Sequence, residues 1–468
     1  MDIALVSAFI IYFLILAGIG IYFYHTTTSE TDFILANRSV NYWVTAIATQ
    51  SSDMSSWLFL GFPAAVYANG IFELWTAIGL VIGMFLNWHF IAPRLRTITE
   101  QYKSVTLSSF FVKRFPEYST ILALVSSLMA IVFFTFYIAA SLTGLGHLFR
   151  SALDISYQTG TCVGLLFAII YTLLGGFIAI AWCDLFQGLF LLAMIVLVPV
   201  CAYINVGGWD HIITALRAKE LPLSLIPTWH DASYSILLAA GWGLGYFGQP
   251  HILTNFMAID DPRNIKYAKR VGITWQCIVL SAAACIGLIG VAYTGDALEN
   301  TQDLFIVMAT GLLPSLLAGF ALCGILAATL STLDSHILIA GSVVAEDIFK
   351  KIGNMNASRR TVVTISRIGS VMIALLGLVI AQYDNSSIYN LVNYAWAGLG
   401  SSFGPLVIMA LYAPKSVNGL GAIMGILIGG LVSALWPYIN VTVLPLVPGF
   451  FSGLIALWLF SALSNGKR

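Results

Sequence analysis

The sequence predicts an all-α polytopic membrane protein, and three observations carry that prediction. Of the 468 residues, 59% are hydrophobic and only 9% are charged, against about 25% charged in ordinary soluble domains. Mean hydropathy is +0.90. The apolar residues also gather into runs of roughly 20, the length a helix needs to cross the hydrocarbon core of a bilayer. Net charge is zero, which argues against nucleic acid as a partner.

In chain order, about thirteen runs read as spans. They lie near 3–24, 41–68, 71–93, 118–149, 158–179, 184–205, 233–257, 271–294, 316–348, 361–383, 388–413, 418–437 and 444–464. The first run has only Asp2 before it and no basic flank, so it predicts a retained anchor rather than a cleaved signal. The stretch 303–315 predicts a short outer helix. Six cysteines, at 162, 183, 201, 277, 285 and 323, fall in apolar runs without metal or disulfide spacing and read as packing residues.

Lys and Arg set the expected orientation. With the N-terminus outside, every basic residue except Arg150, Arg217 and Lys219 falls on or near the inner side, from Arg38 to Lys467 and Arg468. The expectation is an integral plasma-membrane protein, N-out and C-in, of a bacterial inner membrane.

Two spans carry breaks. The second holds "QSSDMSS" (50–56), which puts an acid near mid-membrane at a cost of roughly 2.5–3.5 kcal/mol. The seventh reads "AAGWGLGYFGQPHILTNF" (239–256), dense in glycine with one proline. Helices five spans apart run in opposite directions. That is the signature of an inverted repeat of two five-helix units, and transporters with this plan bind ions and solute where the broken helices meet. The division this predicts is a leading helix and inner loop (1–38), a first repeat (39–206), an outer loop (207–232), a second repeat (233–413) and two trailing helices (414–468).

Several polar residues then stand out. Asp53 reads as an ion-path residue, the default for an intramembrane acid. In "GILAATLSTLDSHILIAGS" (324–342), Ser331 and Ser335 share a helix face, with Thr332, Asp334 and His336 around them. Asp184 is placed at the inner start of the sixth span, where an interfacial acid at a helix N-terminus and an ion-site acid are both open readings. Glu73 reads as a first-turn acid, Arg367 as a snorkelling cation and His251 as a packing residue. Tyr137, Trp242 and Tyr246 would be ordinary membrane aromatics, except that the last two flank the second break.

The motifs "SSDMSSWLFLGFPAAVYANG", "FELWTAIGL", "GYFGQPHIL" and "AATLSTLDSHIL" resemble the sodium/solute symporter family, and within it the carriers of proline. The likeness runs from about Leu35 to Lys351 and continues more weakly to the end. It implies a leucine-transporter-type fold of 5+5 helices with one extra helix in front and two behind. It also implies a sodium ion held by the carbonyls of Ser51, Met54 and Ala328 and the hydroxyls of Ser331 and Thr332. Asp184 and Ser335 match a second sodium site of some members, with Asp334 adding a second acid there. Tyr137, Trp242, Tyr246 and Pro250 match the proline pocket, next to Ser55 and Ser56. Asp53, Arg38 and Glu73 match positions tied to coupling. Two residues depart from the pattern: Ser56 stands where proline carriers usually have glycine, and Gln50 where a small residue is typical.

The function expected is sodium-coupled import of a small zwitterion, with L-proline preferred, by a chain that works as a monomer. The alternatives are sodium carriage of a betaine, pantothenate or a sugar acid such as sialic acid, a proton-coupled carrier, or a membrane sensor or channel. No nucleophile–base pair, phosphate loop or histidine cluster points to an enzyme.

Overall fold

The computed structural model describes residues 2–24, 30–226, 228–295, 297–353, 357–382, 387–440 and 442–465. The basic pair Lys467 and Arg468 lies outside them. Among the described residues the chain is helical throughout, with one isolated parallel bridge between Val40 and Ile259 and no strand.

Among the described residues, ten helical stretches are long and apolar enough to cross a membrane. The fifth expected span appears as the shorter apolar helix Tyr157–Ile170. The second and seventh expected spans are each split. Helix α1 (Ile3–Tyr24) leads. The second span is α2 (Tyr42–Met54) and α3 (Gly61–Asn69). Helices α4 (Leu74–Leu86) and α5 (Ala92–Gln101) are joined through a π-type turn, and the short α6 (Leu107–Arg114) and long α7 (Ser119–Leu153) follow.

Helix α8 runs Tyr157–Asn205 and takes in both the fifth and the sixth expected spans. It bends at Gly176, at φ 62° and ψ −167°, a conformation that glycine reaches at little cost. The sequence reading placed this break near 180–183. The structure places it at the Gly175–Gly176 pair, and Asp184 therefore lies two turns inside a helix, 1% exposed, instead of at an interfacial N-terminus.

The stretch expected as an outer loop (207–232) contains a ten-residue helix, α9 (Trp209–Ala218). Next come α10 (Trp229–Gly243) and α11 (Pro250–Ala258), the two halves of the seventh span. Helix α12 (Ile265–Thr294) precedes α13 (Leu304–Leu312), which is the short helix expected at 303–315. Then follow α14 (Ser315–Ser342), a π-type segment Val343–Gly353, α15 (Arg359–Ala381), α16 (Ile388–Tyr412), α17 (Gly419–Leu435) and α18 (Leu446–Asn465).

Helix α14 is the axis of the packing. It is buried without interruption from Ala321 to Ser342, polar residues included. It packs against α1, α2, α7, α8 and α15, while α17 and α18 pair with each other against α16. Helices α4 and α10 cross closely because Gly79 and Gly83 lie on Ala239 and Gly243, a small-residue contact typical of membrane helices.

The start of α2 and the end of α11 are latched. Val40 N–H donates to Ala258 O at 3.2 Å, and Asp260 N–H donates to Val40 O at 2.8 Å. Arg38 closes the same corner, donating to Met257 O at 2.6 Å, Ser104 O at 2.7 Å and Thr99 Oγ1 at 3.2 Å. Its backbone is left-handed, as are those of Ala36 and Asn37 (φ 56°, 47° and 48°). Such residues cost roughly 1–2 kcal/mol each, so the three hydrogen bonds of Arg38 help hold a turn the chain resists.

Candidate functional site

The first break begins where α2 stops. Asn41 starts that helix by accepting from Trp43 N–H and Val44 N–H, a strong N-cap. Ser55 ends it at φ 48° and ψ −171°, a region almost reserved for glycine that costs of order 1–3 kcal/mol. Two bonds stabilise the turn. Ser55 N–H donates to Thr332 Oγ1 at 3.0 Å, and Ser55 Oγ accepts from Trp57 N–H at 3.2 Å.

Helix α14 meets this opening with hydroxyls. Ser331 Oγ lies 2.9 Å from Ser51 O and 3.0 Å from Ala328 O, and Thr332 Oγ1 donates to Ala328 O at 3.1 Å. Four of the five expected sodium-ligand residues thus form one oxygen cluster between α2 and α14. The fifth, Met54, is the buried last residue of α2 beside it. The donor set is carbonyl and hydroxyl oxygen, the kind that unwound helices offer to Na⁺. Each hydroxyl here spends its proton on a carbonyl, and both partners could turn lone pairs to a cation.

One turn further on, Ser335 hydrogen-bonds the Asp184 carboxylate, and Asp334 is close enough to repel it. All three residues are buried. Asp184 Oδ1 has no hydrogen-bond partner among the described residues. Ser51 Oγ donates to the Asp184 carbonyl at 3.1 Å, which links the two clusters.

On the other side of the first break lies a narrow cavity lined by Asp53, Met54, Trp57, Leu80, Tyr137, Trp242, Tyr246, Val392 and Trp396. Asp53 is its only charged residue. Tyr246 O–H donates to Asp53 Oδ2 at 2.6 Å, and Gln276 Nε2 donates to Tyr246 Oη at 2.9 Å. The aromatic walls interlock: Trp242 stands 5.1 Å from Trp57, and Tyr246 meets Trp396 edge-on at 4.9 Å.

Above the cavity Trp242 Nε1–H donates to Tyr389 Oη, and Tyr389 O–H donates to Glu73, both at 3.2 Å. Glu73 also accepts from Thr76 Oγ1 at 2.8 Å and from Asn69 Nδ2 at 3.1 Å. It stands at the start of α4, as expected, but its carboxylate is taken up by these side chains and not by helix N–H groups.

The cavity excludes three residues expected at the pocket. Pro250 starts α11 and lines a separate cavity with Thr106, Ser126 and Phe403, because the extended Gln249 turns the chain away from the aromatic walls. Ser55 is engaged by Thr332 and Trp57. Ser56 faces Gly144 of α7. His251 and His336 form a buried pair at 3.2 Å, with the His336 ring 4.2 Å from Tyr137. Arg367 lies over the Phe33 ring at 5.6 Å. Gln50 is buried and faces Gly272 of α12.

Sequence reasoning missed Trp57, Trp396, Gln276 and Tyr389. Trp57 could have been found, since it directly follows the polar run. The other three lie in ordinary-looking spans.

A helical bundle with two broken helices, an oxygen cluster at one break and an aromatic cavity between them is the build of a secondary carrier with a leucine-transporter-type fold. Residues 33–429 match the sodium:solute symporter family, and the chain belongs to it. It is 37% identical to the osmoregulated proline transporter of Bacillus subtilis strain 168, over 97% of this chain and 94% of that protein. It is 36% identical to the sodium/proline symporter of Escherichia coli K12, over 98% and 92%. Its fold is also that of a Na⁺-coupled sialic acid symporter solved in a substrate-bound outward-open state, with TM-score 0.84 at 18% identity over 99% and 98% of the two chains. The protein is thus an integral membrane symporter.

Proposed function

We propose that this chain imports L-proline into a bacterial cell with sodium, N-terminus outside and C-terminus inside, through about thirteen spans arranged as two inverted five-helix units (39–206 and 233–413). The observation that carries this reading is the oxygen cluster across the first break, where Ser331 Oγ sits 2.9 Å from Ser51 O. The activities of these relatives support proline as the solute.

Sodium, the driving substrate, would take the carbonyls of Ser51, Met54 and Ala328 and the hydroxyls of Ser331 and Thr332. Asp184, Asp334 and Ser335 are the candidates for a second cation. Asp53 would face the solute's ammonium, and Trp57, Tyr137, Trp242 and Trp396 its ring. The single carboxylate among aromatic walls suits a small zwitterion. The latch of Arg38, Val40 and Ile259 would close the inner side while solute and sodium bind, and its release would open the way inward. Glu73, through Tyr389 and Trp242, would hold the outer side of the cavity.

A tenfold sodium gradient supplies about 1.4 kcal/mol, and a 100 mV potential about 2.3 kcal/mol per charge. One sodium therefore supports roughly several-hundred-fold accumulation. The test is uptake of labelled proline into proteoliposomes with and without an inward sodium gradient. Uptake that needs sodium and saturates is expected. Equal uptake without sodium overturns the coupling, and sodium-driven uptake of other solutes but not proline overturns the substrate.

A further inference from the structure

A further cavity, which shares no lining residue with the solute site, lies between α6, α7 and the π-type segment that ends α14. Its volume is about 420 Å³, within the range of small-molecule sites. Four lysines line it: Lys103 before α6, Lys113 in the last turn of α6, and Lys350 and Lys351 on the π-type segment.

Two acids share the wall, and both are engaged. Glu346 pairs with Lys350 at 3.2 Å. Asp347 is buried and accepts from Thr106 Oγ1 at 3.0 and 3.1 Å, at the N-terminus of α6. Among the described residues, Lys103, Lys113 and Lys351 have no carboxylate within salt-bridge range. Lys113 donates to the carbonyls of Tyr102 and Lys103 at 2.9 and 2.7 Å. Burial pulls its pKa down, and the other three lysines pull the same way against Glu346. The cations crowd one another around space that an anion would fill.

A separate observation says which kind of anion. Ala123 of α7 forms part of the cavity wall. Its neighbours Ile121, Leu124 and Leu128 are 52%, 49% and 55% exposed. That apolar stripe suits acyl chains. A molecule with an anionic head among the lysines and hydrocarbon tails along this stripe would use both faces of α7, whereas a free phosphate would leave the stripe unused. Basic pockets at the inner ends of membrane helices take lipid headgroups for this reason.

We propose that this cavity binds the phosphate headgroup of an anionic phospholipid of the cytoplasmic leaflet. The site joins two moving parts. Ser104, next to Lys103, accepts from Arg38 at the inner latch, and the π-type segment continues the helix that carries Ala328, Ser331 and Thr332. A bound headgroup clamps the loop before α6 to that helix.

The test uses the full chain in phosphatidylcholine vesicles with increasing phosphatidylglycerol, with bound lipid counted by native mass spectrometry. Wild type is compared with K103Q/K113Q/K351Q and with K266Q/R270Q, a control pair on another basic loop. Each cavity lysine lost should weaken phosphatidylglycerol binding roughly fivefold, and the triple change about a hundredfold, while the control pair binds as wild type. Binding is read without transport, so the outcome does not depend on the solute. Should the triple variant melt early in detergent, K351Q alone is expected to show the fivefold loss. Equal retention by wild type and triple variant overturns the site. Equal loss in the control pair reduces it to diffuse surface charge. Inorganic phosphate that displaces the lipid headgroup and leaves the protein equally heat-stable overturns the lipid assignment.

Discussion

The two broken helices reach the same shape by opposite chemistry. At the first break the chain adopts a conformation costly for serine at Ser55, and side chains of α14 satisfy the opened backbone. At the second, glycines let the chain press onto α16. A Cβ at Gly248 would meet the Gly404 nitrogen and the Leu399 and Gly400 carbonyls at 2.5–2.8 Å. Gln249 Nε2 then donates to Gly245 O and Trp396 O at 3.3 and 3.0 Å. The hydroxyls and opened carbonyls of the first break can turn towards a cation, whereas the backbone of the second is locked against α16. Under the function proposed above, the first break is the ligand site and the second a fixed wall.

The sharpest test of that contrast is Ser331→Ala with Thr332→Ala. A hydrogen bond or ligand contact to a charge is worth about 1.5–3 kcal/mol. Losing two such oxygens should raise the sodium half-saturation for uptake about a hundredfold. An unchanged sodium dependence would break the comparison, leaving the first break as merely structural.

The next effect lies where the breaks touch. Tyr246, on the second, donates to Asp53, on the first, at 2.6 Å. Tyr246→Phe removes a charge-assisted bond of about 2 kcal/mol. The proline KM should rise on the order of tenfold to thirtyfold, with a smaller change in maximal rate. A change confined to sodium half-saturation would move Tyr246 from the solute to the cation.

Gly248→Ala should do the reverse of the serine change. Overpacking costs about 1–3 kcal/mol, so the variant should melt several degrees lower while keeping its sodium half-saturation. Thermal melting with and without sodium reads both. A large sodium shift in this variant would mean that the second break also moves with the ion.

Both breaks were legible in the sequence because each breaks a composition rule: an acid and serines in one apolar run, clustered glycine and proline in another. Ser331 and Thr332 were legible as polar residues sharing a helix. The depth of Asp184 was not, because the sequence reading put the break at 180–183, after the glycine pair, and only the backbone shows that the chain bends at Gly176. Trp396 and Tyr389 were hidden by a chain in which 13% of residues are aromatic and any one reads as packing, and Gln276 was a lone glutamine in an ordinary apolar span. The direction of Pro250 depended on the extended turn at Gln249, which no spacing rule predicts. Helix α9 is too short to span, so hydropathy treated it as loop.

The smallest expected effect belongs to Ser56, the residue that departs from the family's usual glycine. It follows the strained Ser55, is fully buried, and its hydroxyl has no hydrogen-bond partner among the described residues. It lies against Gly144, where no side chain on α7 could coexist with it. Ser56→Gly would remove an orphaned hydroxyl that costs about 1–3 kcal/mol to bury, and would add the backbone freedom of glycine, about 0.5–1 kcal/mol against. The two oppose each other and leave a net stability gain of at most about 2.5 kcal/mol, and Ser56 does not line the aromatic cavity. The proline KM and the sodium half-saturation should therefore each stay within about threefold of wild type. A tenfold shift in the proline KM alone would put Ser56 in contact with the solute, and the first break would then serve solute and ion together.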